Sequence, residues 1–377
     1  MTDQPIGIVT LPGNTNYGNR LQNFALQEAI KSLGFRNVES LEGFPRRESK
    51  PLRARRLLVT AYDRRHEILG RVLGRPGTRP PRDVYECPPR RREAIQAFSD
   101  QYITSGPQRY TGARQVNAFT DRYQRFVVGS DQVWNPAFTQ ANPEWFLSFA
   151  KPEQRVAYAA SIGVPEVPAY LRGRYRAGLR QIEKISVREH QAAETTRVLT
   201  GRKPLVVLDP TMLLKRTQWD TIAVRPPQLR PGSYIATFML SAGDSVATGG
   251  PDLTKVHEHA RSGNLDIVDL HSPSDPVLVA FGPREFIGAI RGAKLLVTDS
   301  FHASVFATIF HVPFLLVPRG KMNSRFETLL AHTGLDDRML SHTPDIAAAL
   351  SVDWIDVDHR IEEARKHSLH FLTESLI

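Results

Sequence analysis

The sequence predicts an α/β protein with two domains, each built on a parallel β-sheet that is covered by helices on both faces. Short apolar runs rich in β-branched residues alternate with helical patterns along most of the chain. These runs are apolar almost throughout, which is typical of strands buried on both faces. The 377 residues are also too many for one hydrophobic core, so two domains are expected.

The predicted elements follow in chain order. A first strand over 6–11 precedes a helix, because Leu21, Ala25, Ala29 and Leu33 recur at every fourth position and a glycine follows as a C-terminal stop. Further strands are predicted at 126–128, 156–160, 185–187 and 205–208, and then at 234–239, 267–270, 295–298 and 314–317.

Domain boundaries are predicted from a break in these patterns. Residues 225–232 read Arg-Pro-Pro-Gln-Leu-Arg-Pro-Gly, a composition typical of a linker. The first domain is therefore predicted to span 1–224 and the second 233–350. The remaining residues, 351–377, have a helical pattern, and the first domain is one surface on which this helix could pack.

Cysteine content and hydropathy limit the class of protein. The single cysteine, Cys87, excludes an intramolecular disulfide and a cysteine-based metal cluster. The first residues lack the pattern of a signal peptide. The longest apolar stretch, 305–318, contains His311 and Pro313 and is too short to span a bilayer. We therefore expect a cytoplasmic protein.

The positive charge is concentrated in one segment, a basic insertion in the first domain at 45–92. It holds 15 Lys and Arg against 5 Asp and Glu, a surplus equal to the whole net charge of +10. A nucleic-acid-binding protein would be expected to spread such residues over its fold, so no nucleic-acid partner is predicted. Residues 52–73 have the pattern of a basic amphipathic helix. Such a helix either contacts an anionic membrane surface peripherally or packs its apolar face on the first domain.

Polar or glycine-rich residues follow five of the predicted strands, at 13–19, 129–132, 188–189, 209–211 and 298–302. Ligands of open α/β sheets bind outside the carboxyl ends of the strands. Two such domains that face each other would bring these residues to one cleft.

The same residues form motifs that resemble those of the polysaccharide pyruvyl transferase family. They are Asn16-Tyr17-Gly18, the segment 128–135 (Val-Gly-Ser-Asp-Gln-Val-Trp-Asn), 185–189, 208–211, 298–302 and 313–325, and they fall in the family's order between about residues 7 and 338. The sequence departs from the family at Asn19 and Ala303, where glycine is usual.

This resemblance implies both a fold and an activity. The implied fold is two Rossmann-like domains facing across a cleft, similar to the glycosyltransferase-B arrangement. The implied activity moves pyruvate from phosphoenolpyruvate onto a sugar as a ketal. The acceptor is a polymeric or lipid-linked sugar in the biosynthesis of an exopolysaccharide or cell wall glycan. No cofactor and no metal are expected.

Ketal formation needs an acid/base group and cations for the donor's carboxylate and phosphate. His302 is predicted to be the acid/base group, since imidazole titrates near neutral pH. Arg188 is predicted to bind a donor anion, with a salt bridge between the domains as the alternative. Asp131 and Asp299 are predicted to orient His302 or accept a sugar proton, with helix N-capping as the alternative.

The other predicted site residues are expected to bind substrate. The segment before the first helix suits an anion, but it is not a G-x-G-x-x-G fingerprint, so no dinucleotide is predicted. Lys321 and Arg325 follow the last predicted strand and are expected to lie near the donor. The predicted substrate-binding residues are Asn16, Tyr17, Gly18, Ser130, Asp299, Ser300, Lys321 and Arg325.

Two other functions remain open from the sequence. One is a glycosyltransferase that uses a nucleotide-sugar, because the same fold serves both chemistries. The other is a basic membrane- or nucleic-acid-binding protein without catalytic activity.

Overall fold

The computed structural model describes residues 4–13, 15–41, 87–106, 116–240, 253–318, 323–340 and 345–377. Two predictions lie outside these residues. One is the membrane contact through 52–73, together with nearly all of the basic insertion, and the other is Lys321.

Two parallel sheets form the framework, and both are predicted by the sequence. The first has the strand order β2-β1-β3-β4-β5-β6 and the second β10-β9-β7-β8. The strands are β1 (Ile6–Val9), β2 (Val38–Leu41), β3 (Arg125–Val128), β4 (Arg155–Ala160), β5 (Lys184–Val187), β6 (Leu205–Val206), β7 (Tyr234–Phe238), β8 (Asp266–Asp269), β9 (Leu295–Thr298) and β10 (Phe314–Leu316). The nine predicted strand positions are confirmed, whereas β2 was missed because Glu39 and Ser40 interrupt the apolar pattern of its sequence, Val-Glu-Ser-Leu.

Helices connect the strands. They are α1 (Tyr17–Ser32), α2 (Pro89–Tyr102), α3 (Val116–Thr120), α4 (Pro136–Thr139), α5 (Arg172–Arg180), α6 (His190–Thr200), α7 (Arg216–Ile222), α8 (Thr254–Ser262), α9 (Pro283–Gly292), α10 (Phe301–Phe310), α11 (Ser324–Thr333), α12 (Ile346–Leu350) and α13 (Trp354–Leu376). The predicted first helix is confirmed as α1, and the glycine after it, Gly34, has a φ of 96°, which suits a helix end.

Helix α10 differs from the surface helices because it is buried along its whole length. The Ser300 side chain caps its N-terminus by accepting from Ala303 N. Aromatic contacts then continue the core from α10 into the first half of the chain. Phe306 packs edge-on against Trp219 at 4.8 Å between ring centroids, and Trp219 contacts Phe24 of α1 at 5.7 Å. One hydrophobic core therefore joins the elements around the two sheets.

The last helix, α13, lies against the first sheet. Ser368 Oγ accepts from Leu208 N at 3.0 Å, directly after β6. Gln124 Nε2, just before β3, donates to Leu376 O at 3.1 Å. None of the helices in the described ranges is both long enough and apolar enough to cross a membrane.

Candidate active site

A cavity of about 450 Å³ opens where strands of both sheets end. The first sheet contributes the start of α1 and the residues after β3, and the second contributes the start of α10 and of α11. The predicted site residues that line it are Asn16, Tyr17, Gly18, Asp131, Ser300, His302 and Arg325. Sequence reasoning therefore identified residues from four separate segments that the fold brings together.

Three predicted residues do not line the cavity: Ser130, Arg188 and Asp299. Asp299 Oδ1 accepts from Leu240 N at 2.6 Å, so this carboxylate holds the residues that follow β7. It does not cap α10 either, because Ser300 has that position. Ser130 is fully buried and donates from Oγ to Asp209 Oδ2 at 3.2 Å.

A buried charge network lies behind the cavity wall, where β3, β5 and β6 end. Arg188 Nη1 contacts Asp209 Oδ2 at 2.7 Å, and its Nη2 contacts Asp131 Oδ1 at 3.4 Å. Thr211 donates to Asp209 Oδ1 through both its backbone N, at 3.0 Å, and its hydroxyl, at 2.7 Å. The arginine fork thus connects two carboxylates from different loops.

Phe301 separates Arg188 from the cavity. The Arg188 guanidinium lies 4.6 Å from the centroid of the Phe301 ring, within the range of a cation–π contact. The Arg188 side chain is only 1% exposed. Its two Nη atoms contact Asp209 and Asp131 behind the cavity wall, and direct binding of a donor anion by Arg188 stays a prediction.

His302 reaches across the cavity floor from the second half of the chain to the first. Its Nε2 is buried and lies 3.7 Å from Asp209 Oδ2, which is within ion-pair range but too long for a hydrogen bond. Its Nδ1 lies against Gly18, where an added Cβ would be only 2.1 Å away. Both ring nitrogens therefore lie close to protein groups, Nε2 near Asp209 and Nδ1 against Gly18.

The network keeps its carboxylates ionised. Burial acts to raise the pKa of Asp209, but His302 and Arg188 outweigh it and hold that pKa far below its ordinary value. Burial opposes ionisation of Asp131 too, and Arg188 followed by His302 lowers its pKa. Burial acts to lower the pKa of Arg188, but the two aspartates together raise it. At neutral pH the two aspartates are therefore negatively charged and Arg188 is positively charged.

Sequence reasoning gave no role to Asp209, although it lies in one of the motifs and follows a predicted strand, as Asp131 does. The signal was present, but only the fold reveals that its carboxylate is the one nearest His302. Asn19, where the family usually has glycine, donates from Nδ2 to Asp131 Oδ2 at 3.1 Å. This departure from the family pattern therefore adds a contact to the site.

Arg91 was also missed, because it lies in the basic insertion, where it is one cation among many. It is buried, lines the cavity, and donates from Nη2 to the carbonyl of Leu278 at 3.1 Å. Its guanidinium lies 5.7 Å from the centroid of the Tyr17 ring. Burial, followed by the charge of Arg91, lowers the pKa of neighbouring His271. Among the described residues, no cluster of three or more His, Cys, Asp or Glu could hold a metal ion.

Two parallel sheets with one cavity at their carboxyl ends define the class: an α/β protein with two Rossmann-like halves, in a glycosyltransferase-B type of arrangement. A family model described as "Polysaccharide pyruvyl transferase" matches residues 16–320. The chain belongs to this family, and the family is one of transferases. A comparison of the sequence with curated proteins found no match.

Solved structures with a similar backbone fold share little sequence with this protein. UDP-GlcNAc 2-epimerase from Neisseria meningitidis is 9% identical, with 99% of each chain covered and a TM-score of 0.49. The glycosyltransferase SnogD from Streptomyces nogalater is 13% identical, with 98% of this chain and 99% of that chain covered and a TM-score of 0.43. Similarities this remote say nothing about the substrate.

Proposed function

We propose that this protein transfers pyruvate from phosphoenolpyruvate onto sugar hydroxyls as a ketal and releases phosphate. The acceptor is a cell-surface glycan or its lipid-linked precursor. The observation that supports this most directly is the position of His302, which lines a cavity while its buried nitrogen faces an ionised aspartate. An imidazole held in this way suits proton transfer to and from a ligand.

The chemistry assigns a role to each nitrogen of His302. The negative charge of Asp209, 3.7 Å from Nε2, favours a proton on that atom, so we assign the exchange of protons with the ligand to Nδ1. Nδ1 delivers a proton to the methylene carbon of phosphoenolpyruvate, and the central carbon becomes electrophilic. A sugar hydroxyl oxygen bonds to that carbon and its proton goes to a base, either Nδ1 or Asp131. The C–O bond to phosphate then breaks, and phosphate leaves with the bonding electrons. A second hydroxyl of the sugar adds to the same carbon, loses its proton to the leaving phosphate, and closes the ketal.

The donor's anionic groups need cations, and Arg325 supplies one at the cavity wall. It lies at the start of α11, with its guanidinium 5.8 Å from the centroid of Phe301. Lys321 is a second candidate from the sequence. A lipid-linked acceptor suits a cytoplasmic enzyme that works at the inner face of the membrane, with residues 52–73 as the peripheral contact.

The test is phosphate release from phosphoenolpyruvate, measured with a panel of sugar acceptors. Changing His302 to Ala should lower turnover by roughly 10²–10⁴-fold, the usual range for a lost acid/base group, while the variant remains folded. His359, which is exposed on α13, provides the control, and His359→Ala should keep full activity. Full activity of His302→Ala would remove the assigned role. Turnover of nucleotide-sugars without turnover of phosphoenolpyruvate would instead support a glycosyltransferase.

A further inference from the structure

One wall of the cavity presents an aromatic ring to solvent. Phe138 of α4 is 44% exposed. Of the exposed large apolar side chains in the described part of the chain, it is the one that lines the cavity. Trp145 lies in the same wall. An exposed ring inside a binding cavity indicates a contact surface for a ligand with an apolar face.

The ring stands on a rigid base, so its exposure is not that of a loose loop. Asn135 caps α4, with Oδ1 accepting from Ala137 N at 2.9 Å. The preceding Trp134 is completely buried, and its Nε1 donates to Trp145 O at 2.8 Å. Its indole also stacks on Phe146 at 5.7 Å. The segment therefore holds Phe138 in one position without covering it.

The charges of this wall do not suit the donor. Residues 131–145 contain two charged side chains, Asp131 and Glu144, and both are acidic. Phosphoenolpyruvate is a small polyanion and meets no cation in this segment, whereas Arg325 offers one from the second half of the chain. Gln132 also lines this wall, and its Oε1 already accepts from Asn135 Nδ2 at 2.8 Å. What Gln132 can offer a ligand is therefore its Nε2 donor.

A neutral ring with an apolar C–H face and hydroxyls at its edge matches this combination. We propose that Phe138 is the stacking platform for the pyranose ring of the acceptor, with Gln132 Nε2 donating to a hydroxyl. The inference rests on the proposed function, since it assigns the acceptor to one wall and the donor to the other. It places the acceptor hydroxyls beside Asp131, the residue next to Gln132.

The test measures sugar binding directly, by saturation-transfer NMR on the full chain. The probes are methyl β-D-galactopyranoside, methyl β-D-glucopyranoside and methyl N-acetyl-β-D-mannosaminide. At least one should receive saturation on the C–H protons of one ring face. Phe138→Ala should weaken binding of that sugar about tenfold, the scale of a lost aromatic contact, and Phe138→Tyr should retain it. Val198→Ala is the control, because Val198 is 66% exposed but lies on α6, outside the cavity wall.

Binding of phosphoenolpyruvate, followed separately by thermal shift, distinguishes the two proposals. Phe138→Ala should respond to it as the wild type does. The inference is overturned if the wild type binds none of the three sugars. It is also overturned if Phe138→Ala binds them unchanged, or if that variant loses its response to phosphoenolpyruvate. A wild type that binds sugar through Phe138 but not phosphoenolpyruvate would overturn the proposed donor and leave the sugar platform in place.

Discussion

Changing Gly18 to Ala should inactivate the protein more than it destabilises it. The added Cβ would lie 2.1 Å from His302 Nδ1, 2.3 Å from Cγ and 2.7 Å from Cβ. Ordinary contacts begin at 3.4 Å, so the imidazole must retreat by about 1 Å or more. The ring cannot simply rotate away, because the clash extends to its own Cβ, on the buried helix α10.

The magnitude of each effect follows from this displacement. A misplacement of about 1 Å in a catalytic group can cost about 10²-fold in rate. Overpacking of this kind typically costs about 1–3 kcal/mol in stability. We therefore expect phosphate release to fall about 100-fold, while the variant still unfolds cooperatively in urea.

Gly173 provides a matched control. It lies within α5, and an added Cβ would meet no atom within 4 Å. Gly173→Ala should keep full activity and stabilise the helix by about 0.5–1 kcal/mol. A second comparison uses His302→Ala as background, where the ring that clashes is absent. There, the clashes with Nδ1 and Cγ are absent and only the close contact with Cβ remains, so Gly18→Ala should cost less stability than in the wild type. Wild-type turnover in Gly18→Ala, or an equal stability loss in both backgrounds, would refute the proposed contact.

Three further outcomes are expected. Arg188→Ala leaves two buried carboxylates without their shared cation, so it should lower the free energy of unfolding, measured in urea, by about 3–5 kcal/mol. Arg188→Lys should lower it less. A loss under about 1 kcal/mol in Arg188→Ala would contradict the network. Because the pKa of Asp209 is depressed in the folded state, its ionisation stabilises the fold above the unfolded pKa of about 3.9, and this stabilisation is lost progressively as pH falls from there towards the folded pKa. The Tm of the wild type should therefore exceed that of Asp209→Asn by less at pH 3 than at pH 7. A constant difference in Tm would contradict the depressed pKa. If residues 52–73 contact membranes, the wild type should sediment with anionic vesicles at low salt. A variant with Arg55, Arg56, Arg64 and Arg65 changed to Gln should not sediment with them. Negligible vesicle binding by both proteins would exclude the contact.

The sequence predicted the sheets well because buried parallel strands have a strong local signal. Nine short apolar runs each became a strand, and polar residues that follow β1, β3 and β9 line one cavity. The strand β2 was missed since Val38–Leu41 places Glu39 and Ser40 in the middle of a run of four. Its partner β1 lies some thirty residues earlier, and this pairing leaves no mark in the local pattern.

The orientation of the site residues could not be predicted in the same way. Arg188 follows a buried strand, which correctly placed it near the cleft. Its side chain is directed at Asp131 and Asp209, 57 and 21 residues away along the chain. Such pairs are decided by how the loops after β3, β5 and β6 meet. The sequence identifies these charged residues, but only the fold reveals that they neutralise one another behind Phe301.

The contact between α13 and the segment that leads to Asp209 has a consequence for the order in which the protein folds during synthesis. Leu208 N donates to Ser368 Oγ, 160 residues further along the chain. Until residue 368 has been synthesised, this backbone donor has no partner from α13, although every strand of both sheets already exists. Such long-range contacts form late and slowly. A nascent chain should therefore form its sheets first, and the segment that leads to Asp209 should gain its contact with α13 last.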